Sequence, residues 1–128
     1  MTEAPRQECH DHHRIDALIQ VLLQPGSLQP VRDAARATGR DEPELQNEIA
    51  VRLARRFLAG ELTFEVADAA ANALYSWMVG DCVERGFPEP AFSIFTAFDD
   101  GESTRDPAAG DPVERFTRPE LRRILGDG

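Results

Sequence analysis

The chain has 128 residues, 23 acidic and 14 basic, for a formal net charge of -9, and 41% of its residues are hydrophobic. That length suits a single domain with enough apolar surface to fold without disulfides or a structural metal. The charge disfavours nucleic acid or an anionic membrane as the main partner and favours a cationic protein instead.

Residues 1–10 are polar and carry Pro5, so the reading is a flexible N-terminal arm ahead of a single helical domain over 11–128. The first helix is predicted from near Asp11. Ile15, Leu18, Ile19, Leu22 and Leu23 fall at helical spacing on one face, and Pro25-Gly26 ends the run. A shorter helix is predicted from Pro30 to Thr38, with Val31, Ala34 and Ala35 on one side and Gly39 as terminator.

The third helix has a sharper start. Asp41 followed by Glu44 has the spacing of a capping box, and Pro43 is tolerated in the first turn. Leu45, Ile49, Leu53 and Phe57 recur every four residues up to Gly60, Glu48 and Arg52 form an i, i+4 pair, and Arg52, Arg55 and Arg56 cluster on another face. Thr63 then caps a fourth helix to about Glu84. Its apolar stripe is Val66, Ala67, Ala70, Ala71, Leu74, Trp77 and Met78, with alanines that permit close helix approach.

The segment PAFSIFTAF fits two periods. Ala91, Ile94, Phe95 and Phe98 match a helix, whereas Phe92, Ile94, Thr96 and Phe98 match a strand; helix is favoured over residues 91–98 with strand as the alternative. From Asp99 to Glu114 acids, glycine and proline predominate, which predicts a long acidic surface loop over 99–114. A last helix is signalled by Thr117, Pro119 and Glu120, with Leu121, Ile124 and Leu125 inward and Gly126 at its end. The fold expected is an all-α bundle of five to six helices with Leu18, Leu22, Leu53, Phe57, Leu74, Trp77, Met78 and Phe95 in its core.

Three groups of side chains have chemical potential. Cys9, His12 and His13 would share one face of a helical turn, and a thiolate with imidazoles suits zinc. No second ligand pair stands at a recognised spacing, so a solvated segment without a cofactor is preferred and zinc is the minority reading. Asp99, Asp100, Glu102 and Asp106 form an acidic run that lacks the spacing of a calcium loop and is read instead as a surface for a basic partner. Asp68, Asn72 and Tyr75, at i, i+4 and i+7, share a helix face that could line a ligand site, although a polar core edge is the commoner role of such a stripe.

Other signals narrow the function. There is no G-x-S-x-G elbow, phosphate-binding glycine loop, H-E-x-x-H or C-x-x-C, and every histidine lies between positions 10 and 13, so the chain is read as a non-enzyme. The two cysteines, Cys9 and Cys82, are too few for a disulfide framework. No apolar run approaches the roughly 18 residues of a membrane span, and the N-terminal stretch lacks the pattern of a secretory leader. A cytoplasmic location follows as the expectation. All the basic residues are arginine, which together with the many alanines points to a GC-rich coding sequence and a bacterial source.

The stretch Ala54-Arg55-Arg56-Phe57-Leu58-Ala59-Gly60-Glu61-Leu62-Thr63-Phe64-Glu65, a helix end followed by a second helix that opens near the aromatic Phe64, resembles small bacterial immunity proteins of the colicin-immunity-like type over about a third of the chain. The resemblance implies a compact helical bundle that blocks a toxin by presenting acidic side chains to the toxin's basic active site. The shared motif is structural and carries over no contact residue. The resulting expectation is a bacterial protein-interaction domain, an immunity-type inhibitor of a basic toxin, with a small-ligand or metal-binding helical module as the alternative and a homodimer open as a further option.

Overall fold

The computed structural model describes residues 3–24, 26–81, 86–102 and 110–126, and the side chains from His13 onward within them except that of Asp81. Its order is α1 (Glu3–Leu22), α2 (Gln29–Ala37), α3 (Glu42–Leu58), α4 (Phe64–Asp81), α5 (Ala91–Gly101), a π-helical turn (Val113–Thr117) and α6 (Arg118–Leu125). Six α-helices and no strand occur among the described residues, so the chain is an all-α bundle. No helix among them is long and apolar enough to cross a membrane.

Helix α1 begins well upstream of the expected start near Asp11. Pro5 stands in its first turn, where a missing N–H breaks no intrahelical bond, so the residue read as marking an arm is compatible with a helix start. Ile15, Leu18, Ile19 and Leu22 are buried on one face, and Leu23 packs half-buried against the core. In α2, Val31 and Ala35 are buried.

The α3–α4 hairpin follows its local signals closely. The Asp41 carboxylate accepts the Glu44 backbone N–H at 3.2 Å, and Gly60 takes the left-handed conformation (φ 82°) that ends the first arm. The Thr63 hydroxyl accepts the Val66 N–H at 3.2 Å and opens the second. Leu45, Ile49, Leu53 and Phe57 of α3 meet Ala67, Ala70, Ala71, Leu74, Trp77 and Met78 of α4 in one core. Val66 is a correction: it lies at the margin of that stripe in the first turn and is 37% exposed.

Polar contacts tie the helices together across this core. Arg52 is bidentate to Asp16 of α1 (2.9 and 3.1 Å), and Arg56 reaches the same carboxylate at 3.3 Å. Glu48 therefore does not pair with Arg52 as expected; it meets Arg40, because the fold offers Arg52 a better-oriented carboxylate on the neighbouring helix. The Trp77 indole N–H donates to Glu42 at 3.0 Å, and the Asn47 side-chain oxygen accepts the Ala91 N–H at 3.0 Å, anchoring the start of α5 on α3.

Residues 91–98 are helical. Ala91, Ile94, Ala97, Phe98 and Gly101 form the buried face of α5, which extends through Asp99 and Asp100. The expected loop over 99–114 is accordingly shortened at both ends, since helical structure resumes at Val113. The reason is tertiary. Gly101 is buried, and a side chain there would run into the Thr117 hydroxyl and the Phe64 ring, so the missing Cβ permits a close approach that composition does not reveal. Phe95 is a second correction, half-exposed at the flank of α5 while Phe98 fills the core place. Thr117 also differs from expectation: its hydroxyl caps no helix and donates instead to the Ala97 carbonyl at 2.7 Å.

Candidate functional site: an acidic and aromatic face on helices α4 and α5

Asp68, Asn72 and Tyr75 form a row along α4, as their spacing requires. Helix α5 lies beside that row and presents Phe95, Asp99 and, just past its end, Glu102 at matching intervals. Two sequence-predicted groups, the stripe on α4 and part of the acidic run, thereby become one surface.

At its polar end the Asn72 amide donates to the Asp68 backbone carbonyl at 3.0 Å and reaches the carboxylates of Asp68 (3.4 Å) and Glu102 (3.3 Å). One Asp68 oxygen, Oδ1, is buried without a hydrogen-bond partner. Burial disfavours the charged form, and the hydrogen bond that a protonated Asp68 can donate to Glu102, together with the charges of Glu102 and Asp99, adds to it, while the Asn72 amide opposes. The result is an Asp68 carboxyl pushed up to about 7. Near neutrality the Asp68 carboxyl is therefore only partly ionised.

At the other end Tyr75 stacks on Phe95 with ring centroids 4.2 Å apart and planes 7° from parallel, and on Phe87 at 5.7 Å and 23°. Phe87 in turn stacks on Phe92 at 4.6 Å and 13°. These four rings form a continuous cluster whose outermost member, Phe87, is 38% exposed. Val79, four residues beyond Tyr75 on α4, continues the apolar character and is 41% exposed. Chemically the face offers apolar ring surface next to a partly neutralised carboxylate group. Among the described residues it offers no nucleophile with an adjacent base.

The remaining predicted residues fall elsewhere. Asp100 points to the opposite side of α5 and lines a different groove, and Asp106 lies outside the described residues. His13 is exposed on α1; the side chains of Cys9 and His12, like the whole of Cys82, lie outside the described residues. Among the described residues no group of three His, Cys, Asp or Glu side chains is placed to hold a metal ion, and this includes Asp68, Asp99 and Glu102. The aromatic cluster was not foreseen as a unit. Phe92 and Phe95 at i, i+3 were a usable signal, but Phe87 joins them only through the turn that precedes α5. Comparison with family models, curated proteins and solved structures returns no match to the chain.

Proposed function

We propose that this chain is a protein-interaction domain of the immunity-inhibitor kind, binding a basic protein partner through the joint face of α4 and α5. The observation that carries the reading is the partly buried ring cluster of Tyr75, Phe92 and Phe95, with Phe87 exposed at its edge, on the same face of α4 and α5 as Asp68, Asp99 and Glu102. Rigid rings supply contact area at small entropic cost, and neighbouring carboxylates steer a cationic partner into register. The net charge of -9 acts in the same direction at longer range.

A second feature supports the reading. Asp99, Asp100 and Glu102 crowd the C-terminal end of α5, where the helix dipole disfavours negative charge and where no basic residue stands in the last turn. An arrangement that costs stability locally fits a surface kept for a cation from outside. The rival small-ligand module would want a closed, ligand-sized pocket around Tyr75. Its ring is instead stacked on Phe95 and Phe87.

The test is affinity capture from the native host with the wild-type chain and with Asp99→Lys/Glu102→Lys. The expected outcome is a basic protein retained by wild type, released by added salt and lost with the charge reversal. Recovery of nothing but the chain itself, with no response to the reversal, would overturn the proposal.

A further inference from the structure

The other side of α5 faces the π-helical turn and the start of α6 across a groove of about 400 Å³. Its apolar lining comes from Ala97, Phe116, Pro119 and Phe92, the last shared with the ring cluster, and its charged lining from the carboxylates of Glu89, Asp100 and Glu120 together with Arg115. Two of those carboxylates already have duties: Glu89 accepts from the Ser93 N–H and hydroxyl, and Glu120 pairs with Arg123. Asp100 has no such partner among the described residues, and it sits where the carbonyl end of α5 adds to its attraction for a cation.

Phe116 is 46% exposed, the most exposed large apolar side chain of the described residues. The chain's own Arg115 guanidinium, another lining residue, already lies 5.4 Å from the centre of that ring. The groove therefore accommodates guanidinium over an aromatic face within the chain itself. Arginine fits the free part better than lysine would, because a planar guanidinium can stack on a phenyl ring while forking onto a carboxylate, and an ammonium cannot do both.

We propose that this groove receives an arginine side chain from a basic segment of the partner protein, stacked on Phe116 and paired with Asp100. The inference rests on the interaction reading above and adds the chemistry that the partner must bring. It also assigns the two sides of α5 different tasks: the Tyr75 face provides broad apolar contact, and the Phe116 groove selects a cation.

The test uses the full chain, labelled with nitrogen-15, titrated with an acetylated arginine-leucine-arginine amide and with its lysine counterpart. Shifts centred on Thr96, Asp100 and Phe116 are expected, with the arginine peptide binding tighter. Phe116→Ala and Asp100→Asn should each weaken it by roughly threefold to fivefold, the scale of an exposed cation–π or ion-pair contact. Both residues are exposed, so an unchanged melting temperature will show that the variants fold. Equal affinity for the two peptides, shifts centred on Asn72 and Phe95 instead, or no binding would each overturn the groove. In that event, capture of a basic protein that still fails with Asp99→Lys/Glu102→Lys leaves the interaction reading standing. Capture indifferent to changes on either side of α5 removes both.

Discussion

The α3–α4 hairpin and the surroundings of α5 are built from the same residue types to opposite ends. In the hairpin most local choices agree with the fold: Asp41 caps, Gly60 terminates, Thr63 restarts, and the inward faces are apolar except at Gln46 of α3, whose buried side-chain amide has no hydrogen-bond partner among the described residues. Around α5 the choices conflict with local preference. Acids occupy a helix C-terminus, Phe87 and Phe116 lie partly in solvent, and a π-helical turn replaces a regular start to α6. Agreement across levels marks the part of a protein that exists to hold shape, and concentrated disagreement marks the part where shape serves contact.

That contrast can be broken at its strongest point in the hairpin. Leu53 and Leu74 are fully buried, and Leu53→Ala or Leu74→Ala should cost about 2 to 5 kcal/mol of unfolding free energy by lost burial and a residual cavity. Denaturant titration showing a loss below about 1 kcal/mol would mean that the hairpin is not the rigid half.

Next in size is Gly101→Ala. Its new methyl would meet the Thr117 hydroxyl and the Phe64 ring, and overpacking of this sort typically costs about 1 to 3 kcal/mol. A variant as stable as wild type would show that α5 and the turn at Thr117 are not in close register. It would also remove the reason given for the shortened loop.

A proton tests the site side of the comparison. Asp68 rises from an ordinary value of 3.8 to about 7 in the fold, so between those values the folded chain binds more protons than the unfolded one. Its stabilising contribution is complete below about pH 4 and disappears as pH climbs through 7. Other carboxylates add their own slope over the acid range, so the comparison must be with Asp68→Asn. Calorimetric melting temperatures should fall from pH 5 to pH 8 more steeply for wild type than for that variant. Parallel profiles would deny Asp68 its raised titration.

The smallest effect on stability is expected at the rings. Phe87→Ser should cost no more than about 1 kcal/mol, because the side chain is partly in solvent and its stacking is an edge contribution, yet it should weaken partner binding clearly. A large drop in melting temperature would place the aromatic cluster with the core instead.

Legibility in the sequence followed the same division. Helices α1 to α4 were readable because their evidence is local: apolar residues at 3.6 spacing, a capping aspartate, and glycines just past the ends. Phe95 was misplaced because both Phe95 and Phe98 fit the inward period, and only the direction from which α3 approaches decides between them. The acidic stretch after Phe98 was read as loop on composition, and what holds its first part in helix is the contact of Gly101 with residues far along the chain. For the site, helix geometry sufficed to group Asp68, Asn72 and Tyr75. That Glu102 would meet Asp68, and that Phe87 would fold back over Tyr75, are tertiary facts with no local signature.

The bond from the Thr117 hydroxyl to the Ala97 carbonyl has a kinetic meaning as well as a structural one. It is buried, and it joins α5 to the π-helical turn, the two elements that flank the Phe116 groove. The spacing of those elements is therefore set before anything arrives, by a hydroxyl and a backbone oxygen instead of by a hinge. Whatever enters meets a template that does not have to close, so the ordering entropy of association falls on the incoming segment, and differences among partners should appear in how fast they leave.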